Sequence, residues 1–406
     1  MRTLRDKGKT AYLAGGCVRD ELLGLNPSDY DVATDATPNE IASIFPRTSL
    51  VGAAFGVVLV HQGKGETGKG RTTEVATFRT DIGYGDKRRP DRVEFTDAAH
   101  DAQRRDFTIN ALFLDPLETE ESKRVIDFVG GLDDLDARLV RCVGVADERL
   151  NEDHLRALRA VRFACRLGFD LDTETADAIR AHASELAGVS RERVGDELRK
   201  MLSHQGRAAA VSMLSDLSLD VPLLGPADSL RANWVQSLES LPAEAGFPLA
   251  LSALAIGRHG EGLGGRDAIV RWRTALCLSN EERDAAWRIL ETFGFLRTIW
   301  DDEPVARQKR IAMARSFPDA LALLGAIDQG RAAQISDHIS DLKQIGMGLA
   351  PASLLNGEAL IRLGLTPGPM FARILDGVYD AQLDGRVMEL SSAGELAREL
   401  AAEYGV

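Results

Sequence analysis

Two aspartates separated by a single residue, Asp29 and Asp31, are the first positions whose types and spacing predict chemistry. If they lie on a strand, the alternation of side chains puts both carboxylates on one face. Carboxylates that close repel each other unless a divalent cation lies between them, and hard oxygen ligands suit Mg²⁺. Glu74, in a strand-like segment, is available as a third acid. The trio predicts a metal site that serves phosphoryl transfer, whereas the two aspartates alone would also suit a solvated turn.

A glycine pair, Gly15 and Gly16, follows the short apolar run 11–14 and precedes Arg19. This order predicts a strand, a tight turn and a helix. In such a turn backbone N–H groups approach a phosphate closely, while the helix N-terminus and Arg19 add positive potential. Taken alone, the same residues are also typical of a plain strand-to-helix turn with an exposed arginine.

Further downstream, an arginine next to an aspartate and a cluster of four arginines suggest contacts with a nucleotide. Arg105 and Asp106 supply donors and an acceptor that suit a triphosphate and a ribose hydroxyl, and a local charge pair on a helix is the alternative. Residues 154–169 contain no acid, but they contain Arg156, Arg159, Arg162 and Arg166. On a helix these four cluster within roughly 120°, which we interpret as an unneutralised, phosphate-facing stripe rather than a solvated face.

Asp153 and Arg156 are three residues apart at the start of that stripe. Cytosine and adenine each present an amino donor beside a ring-nitrogen acceptor, and uracil and guanine present a carbonyl acceptor beside an N–H donor. A carboxylate next to a guanidinium matches the first pattern and leaves the second unpaired, so protein side chains would act as the template. The alternative is a weak surface salt bridge between the two residues.

The elements that must position these residues change in type along the chain. Up to about residue 136, apolar runs are short, β-branched and interrupted by Gly, Pro and Asp, which predicts an α/β domain over residues 1–136. Beyond it, long segments rich in Ala, Leu, Arg and Glu, such as 152–167, predict helices. A break near residue 225 separates the predicted helical domains 137–225 and 226–406.

The charge and hydropathy of the chain limit its partners and its location. The 406 residues carry 49 basic and 62 acidic side chains, a net charge of −13. An even distribution would disfavour a nucleic-acid partner, so the local arginine cluster matters more than the total. No apolar stretch approaches the ~20 residues that span a bilayer, which predicts no membrane partner. The first ten residues lack the apolar core of a secretion signal, so we expect a cytoplasmic protein.

Five motifs follow one another between residues 15 and 197: Gly15-Gly16-x-x-Arg19-Asp20 with Asp29-x-Asp31, Arg104-Arg105-Asp106-Phe107-Thr108-Ile109-Asn110-Ala111, Asp127-x-x-Gly130-Gly131-x-x-Asp134-Leu135, Glu152-Asp153-x-x-Arg156, and Ser190-x-Glu192-Arg193-x-x-x-Glu197. In this order they resemble the class II tRNA nucleotidyltransferase and bacterial poly(A) polymerase superfamily. The resemblance implies a polymerase-β-like palm, a mixed sheet with helices, followed by a helical neck, body and tail. The expected fold class is therefore an α/β head joined to all-α domains.

The resemblance also implies an activity and a set of site residues. The activity is template-independent addition of C, C and A to the tRNA 3′ end from CTP and ATP with Mg²⁺. Asp29 and Asp31 are implied as metal ligands and, with Glu74, as the catalytic residues. Nucleotide contacts are implied for Gly15, Gly16, Arg19, Arg105, Asp106, Asp153, Arg156, Arg159 and Arg162. The loop 81–92 is similar to a flexible element that helps switch selection from C to A.

Three alternatives stay open at this point. A poly(A) polymerase would share every head motif, although no strongly basic tail follows here. An enzyme that adds only CC or only A would share them as well. A catalytically silent RNA-binding protein is the alternative from another class, and the presence of Asp29, Asp31 and Glu74 together disfavours it. The nucleotide programme and the oligomeric state do not follow from the sequence.

Overall fold

The structure is a computed structural model that describes residues 1–50, 55–64, 70–83 and 92–405. These residues separate into two units, one formed by Met1–Met201 with Ala209–Pro226 and the other by Leu202–Ala208 with Ala227–Val406. The division into domains 1–136, 137–225 and 226–406 stays a prediction. Among the described residues, no helix is both long and apolar enough to cross a bilayer.

The first unit contains the strands. They are β1 Ala11–Ala14, β2 Val32–Thr34, β3 Thr48–Ser49, β4 Val57–Lys64, β5 Gly70–Thr77, β6 Arg79–Ile82, β7 Arg92–Phe95, β8 Phe113–Leu114, β9 Val125–Ile126, β10 Leu139–Val140 and β11 Asp170–Leu171. Within the described residues, seven of them form one sheet in the order β3-β4-β5-β2-β1-β8-β9, while β6 pairs with β7 and β10 with β11. The β2–β5 pair is parallel and the other neighbours in the large sheet are antiparallel, so the sheet is mixed.

The helices Gly16–Leu22 and Pro38–Ile44 pack against this sheet, and further helices follow along the chain. Up to residue 224 the helices are α1 Arg2–Asp6, α2 Gly16–Leu22, α3 Pro38–Ile44, α4 Ala98–Gln103, α5 Gly131–Asp136, α6 Ala146–Glu152, α7 Leu155–Leu167, α8 Thr173–Ala181, α9 Arg191–Leu202, α10 Arg207–Asp216 and α11 Asp220–Leu224. Short 3₁₀ turns lie at Thr108–Asn110 and Ala183–Gly188.

The remaining helices belong to the second unit. They are α12 Arg231–Glu239, α13 Phe247–His259, α14 Leu263–Ala275, α15 Asn280–Thr298, α16 Val305–Ala312, α17 Phe317–Ile327, α18 Gln329–Leu342, α19 Gly357–Arg362, α20 Met370–Leu383 and α21 Leu390–Glu403. No strand occurs in the described part of this unit, and the predicted fold class, a mixed sheet with helices followed by an all-helical region, is confirmed.

The core of the first unit lies on both sides of the large sheet. Leu4, Ile41, Val58 and Val75 pack together on one side, where α3 covers β4 and β5. On the other side Phe78 and Phe113 meet edge to face, with ring centroids 5.9 Å apart. Burial of these side chains constrains the register of the central strands, because a slip of one residue would move each side chain to the opposite face of the sheet and disrupt the packing on both sides.

The structure breaks the predicted helix 152–167 at Asp153. The helix α6 ends at Glu152, Asp153 adopts an extended conformation with φ −155°, and α7 starts at Leu155. The Asp153 carboxylate accepts a hydrogen bond from the Leu155 N–H at 3.1 Å, as a capping residue does at a helix start. At the other end, α7 stops at Gly168, which adopts the left-handed conformation with φ 67°.

Candidate active site

Three carboxylates, those of Asp29, Asp31 and Glu74, line a cavity of about 870 Å³ in the first unit. Asp29 and Asp31 do not lie on a strand as expected, since β2 begins at Val32. The Asp31 carbonyl still accepts a hydrogen bond from the Ala14 N–H at 3.0 Å, which anchors the segment to β1. In the parallel register Val32 faces Val75, so Asp31 lies beside Glu74 of β5.

The electrostatics of Asp31 reflect this crowding of acids. Burial, together with the negative charges of Glu74 and Asp29, raises the pKa of Asp31 to about 6, while the charge of Arg105 opposes the rise. Such a group is stabilised by a cation that offsets the repulsion. Within the part of the chain that the structure describes, the three carboxylates do not all come within 4.8 Å of one another, so they form an open donor set.

The glycine turn joins β1 to α2 beside these acids. Gly15 has φ 78°, and a Cβ atom there would lie 2.9 Å from Arg105 Nη1, so the position requires glycine. Gly16 begins α2 and lines the cavity. The Arg105 guanidinium donates to the Asn110 carbonyl at 3.1 Å and to Asp101 at 3.0 Å, which holds it against the turn.

Arg19 is almost completely buried, with 2% of its surface exposed, where it lines the cavity. Its Nε donates to Asp20 Oδ1 at 2.8 Å, and its Nη1 donates to Asn110 Oδ1 at 2.5 Å. Asp20 also accepts from Arg166 at 2.9 Å. A plain strand-to-helix turn would leave Arg19 exposed, whereas the structure buries it.

The four arginines of α7 all line the same cavity, as their helical spacing predicts. The expectation that no acid neutralises them is wrong, because each pairs with a carboxylate from another segment. The pairs are Arg156 with Glu152 at 2.7 Å, Arg159 with Asp106 at 2.5 Å, Arg162 with Glu197 at 2.5 Å and Arg166 with Asp20 at 2.9 Å. These acids lie outside residues 154–169, so the composition of that segment could not reveal them.

Asp106 lines the cavity as the partner of Arg159. Its carboxylate accepts from Arg159 Nε at 2.7 Å and from Asn110 Nδ2 at 3.2 Å. Burial alone would raise the pKa of Asp106, but the charge and hydrogen bonds of Arg159, the Asn110 hydrogen bond and the charge of Arg156 lower it to about 2. Asp106 is therefore fully ionised near neutral pH.

Asp153 and Arg156 both line the cavity, but their ion pairs are with other residues. Asp153 accepts a bidentate pair of hydrogen bonds from Arg193, at 2.5 and 3.2 Å. Arg156 pairs with Glu152 and donates to the Arg149 carbonyl at 2.8 Å. The weak salt bridge between Asp153 and Arg156 that the sequence allowed gives way to these two separate pairs.

Two residues at this site, Asn110 and Phe163, carry no role in the sequence analysis. The side chain of Asn110 contacts Arg19 and Asp106, and its carbonyl contacts Arg105. The Phe163 ring lies under the Arg162 guanidinium, 4.1 Å from its centroid. Asn110 lies in a recognised motif, whereas nothing local distinguishes Phe163 from an ordinary core residue. The selection loop expected at 81–92 lies largely outside the described residues, which omit 84–91.

Comparison with known proteins identifies the family. The family model described as Poly A polymerase head domain matches residues 11–141. A second model, described as probable RNA and SrmB- binding site of polymerase A, matches residues 168–226. The CCA-adding enzyme of Limosilactobacillus reuteri is 32% identical over 403 residues, which cover 95% of this chain and 92% of that enzyme. The chain belongs to the CCA-adding enzyme family.

Other CCA-adding enzymes match parts or all of the chain. The CCA-adding enzyme of Geobacillus thermodenitrificans is 43% identical over 238 residues, which are 58% of this chain and 55% of that enzyme, so this match spans about half of its length. The crystal structure of the Bacillus stearothermophilus CCA-adding enzyme in complex with CTP superimposes with a TM-score of 0.76 at 27% identity, over 100% of this chain and 97% of that one. The predicted resemblance to this enzyme family is confirmed.

Proposed function

We propose that this member of the CCA-adding enzyme family adds C, C and A to the tRNA 3′ end from CTP and ATP without a nucleic-acid template. The observation that supports it most is a single cavity lined by Asp29, Asp31 and Glu74 together with the four arginines of α7. In the proposed reaction the terminal 3′-hydroxyl oxygen attacks the α-phosphorus. The new P–O bond forms as the bond to pyrophosphate breaks in line with it.

Asp29 and Asp31, with Glu74 as a third donor, would hold the metal ion on which nucleotidyltransferases of this family depend. We propose Mg²⁺, because the donors are hard carboxylate oxygens. The fit rests on Asp31, whose pKa burial and two neighbouring acids raise to about 6, so a cation would relieve an existing repulsion. When bound, the ion supplies activation of the hydroxyl and neutralisation of charge on the transferring phosphoryl group.

We assign the triphosphate to the glycine turn, Gly15 and Gly16, and to Arg19 and Arg105. Both guanidinium groups are held by Asn110, so their positive charge is fixed at the cavity wall before the nucleotide arrives. Electrostatic preorganisation of this kind lowers the reorganisation that accompanies transfer.

We assign the nucleoside to residues farther along the cavity. Asp106 would contact a ribose hydroxyl, and Arg159 and Arg162 would make further nucleotide contacts. Asp153 and Arg156 would select cytosine or adenine by pairing with the amino donor and the ring nitrogen. Arg193 holds the Asp153 carboxylate in place from α9.

An extension assay tests the proposal. Purified protein with Mg²⁺ receives tRNA that ends at the discriminator base, tRNA that ends in CC, or an unstructured RNA, each with CTP, ATP or both. We expect addition of CCA that then stops, and its loss in Asp29→Ala and Asp31→Ala. The control is Asp133→Ala, an exposed acid that does not line the cavity, and it should extend like the wild type.

Other products would support other members of the superfamily. Long A-tails on any RNA would make the chain a poly(A) polymerase, and stopping at CC, or extension of the CC end alone, would make it a partial enzyme. Binding of tRNA with no incorporation would support the silent RNA-binding alternative. The cytoplasmic location stays a prediction, and fractionation of cells that express the tagged protein would test it.

A further inference from the structure

A second group of ligand-type side chains lies in the first unit, outside the cavity. His154 precedes α7, His182 follows α8, and Glu185 lies in the 3₁₀ turn Ala183–Gly188. One ligand atom from each of these three residues lies within 4.8 Å of the other two. His154 Nε2 is 2.9 Å from one Glu185 oxygen, and His182 Nδ1 is 2.9 Å from the other. None of the three residues lines the cavity described above.

A fourth residue, Asp147 of α6, sets the orientation of His182. Asp147 Oδ1 lies 2.7 Å from His182 Nε2, on the opposite side of the ring from Glu185. A proton on Nε2 that is donated to Asp147 leaves the Nδ1 lone pair directed at the cluster. Histidines that bind metals in proteins usually donate their second ring N–H to a carboxylate in this way.

We propose that His154, His182 and Glu185 bind a Zn²⁺ ion and that Asp147 is a positioning residue for this site. Two imidazole nitrogens and one carboxylate suit Zn²⁺, whereas Mg²⁺ prefers oxygen donors. Three protein ligands leave the fourth tetrahedral position for water. His154 is 4% exposed, so part of the coordination sphere is already shielded from solvent.

The site would connect the segment that holds Asp153 and Arg156, the residues proposed above to select the base, to the end of α8. His154 follows Asp153 directly, at the break between α6 and α7. A metal bound to His154, His182 and Glu185 would tie this break to the end of α8. We expect the bound metal to stabilise the first unit. We also expect it to reduce the thermal motion of Asp153 at the break between α6 and α7.

Zinc binding is measured on the full chain carrying Asp29→Ala and Asp31→Ala, so that the cavity carboxylates cannot account for it. After treatment with EDTA and dialysis, isothermal titration should show one Zn²⁺ per chain, and excess Zn²⁺ should raise the melting temperature by about 5 °C. Added His182→Gln or Glu185→Gln should weaken binding at least about tenfold, and Asp147→Asn should weaken it about tenfold.

His100→Gln in the same background is the matched control. His100 contacts the Asp97 carboxylate at 2.8 Å, and among the described residues no third ligand-type side chain completes a cluster with this pair. This variant should bind zinc like its parent. Unchanged affinity in His182→Gln, or no zinc bound by the parent, would overturn the proposal.

If the His182 and Glu185 variants do not fold, absorption spectroscopy of the parent with bound Co²⁺ tests the same ligands without a substitution at the site. The folded parent with Co²⁺ should show the visible d–d bands of a four-coordinate ion with nitrogen ligands. Only the weak spectrum of an octahedral, oxygen-bound ion would overturn the proposal.

Discussion

At the residue scale, the cavity is built from ion pairs in which each member positions the other. Asp106 holds Arg159 with a hydrogen bond and a close ion-pair contact, and Arg193 holds Asp153 in a bidentate geometry. Charge-assisted hydrogen bonds of this kind are stronger and more directional than neutral ones. The local charge of the cavity wall is therefore set by pairs, and we expect removal of one member to change the position of the other.

The Asp106 pair predicts a pH dependence of stability. The pKa of Asp106 lies below its unfolded value of 3.8, at about 2, so its contribution of about 2 kcal/mol is complete above about pH 5 and is lost as the pH falls toward 2. Chemical unfolding of wild type and Asp106→Asn between pH 7 and pH 3 checks this. The difference in unfolding free energy should narrow by about half at pH 3, and a constant difference would contradict it.

The Asp153 pair predicts an effect on base selection. In Arg193→Ala the Asp153 carboxylate loses its bidentate partner, so its orientation toward the base is no longer defined. Incorporation of CMP over UMP into tRNA should fall at least about tenfold, because a misplaced acceptor no longer penalises the wrong base edge. Arg191→Ala, two residues earlier on α9 and away from the cavity, should keep the wild-type ratio. If Arg193→Ala and Arg191→Ala incorporate CMP over UMP in the same ratio, Arg193 has no part in base selection.

At the element scale, the start of α5 is fixed by its own motif. Asp127 accepts hydrogen bonds from the N–H groups of Gly130 and Leu132, at 3.0 and 2.9 Å. Asp134 of α5 accepts from Thr108 Oγ1 at 2.6 Å. Thr108 begins the 3₁₀ turn that ends at Asn110, the residue that holds Arg19 and Arg105. The helix therefore supports the cavity wall through one short turn.

Close packing at Gly131 makes this support testable. A Cβ atom at this position would lie 2.3 Å from the Thr108 carbonyl oxygen, so Gly131→Ala must displace backbone. We expect a loss of about 3 kcal/mol in unfolding free energy and weaker CTP binding, because the turn that carries Asn110 moves. Gly188→Ala, where a Cβ atom meets open space, should leave both nearly unchanged. Chemical denaturation and CTP titration of both variants measure these effects, and equal values for Gly131→Ala and Gly188→Ala would contradict the supporting role of α5.

At the scale of the whole molecule, the second unit is stabilised by buried cations that serve structure. Lys309 of α16 is completely buried, and its ammonium group donates to the carbonyls of Ile345, Leu383 and Gly348, at 2.6, 2.8 and 2.9 Å. Ile345 and Gly348 lie in the segment after α18, and Leu383 is the last residue of α20, so one side chain joins these two parts of the chain. Arg207 makes a similar set of bonds to the carbonyls of Pro242 and Ala243.

Lys309→Met tests whether the stability of the second unit can be lowered without loss of nucleotide binding in the first unit. One buried and two partly buried carbonyls would lose their donor, so the unfolding free energy should fall by about 3 kcal/mol. CTP binding below the unfolding transition should persist, because the cavity residues lie in the first unit. Lys343→Met, at an exposed position, is the control and should be near wild type. Equal stability of the two variants would contradict the structural role of Lys309.

Local patterns in the sequence predicted most of the element types and which side chains line the cavity, while the roles of those side chains stay proposals. Short β-branched runs became strands, Ala- and Leu-rich segments became helices, and the spacing of Arg156 to Arg166 put all four side chains on the cavity. These predictions succeed because strand alternation and helical periodicity are properties of neighbouring residues. The prediction that Asp29 and Asp31 lie on a strand is wrong, because β2 starts at Val32, three residues after Asp29.

Only the tertiary structure decided which charges from distant segments meet. Asp106 reaches Arg159 across 53 positions, and Asp20 reaches Arg166 across 146, so no window of sequence contains both members of either pair. The same holds for Asp153 and Arg193, which belong to segments 40 residues apart. An ion pair requires proximity in space, and for distant residues that proximity is a result of packing the sheet and helices. The sequence by itself therefore determined the side chains and faces available for the chemistry, and the fold determined how their charges are paired.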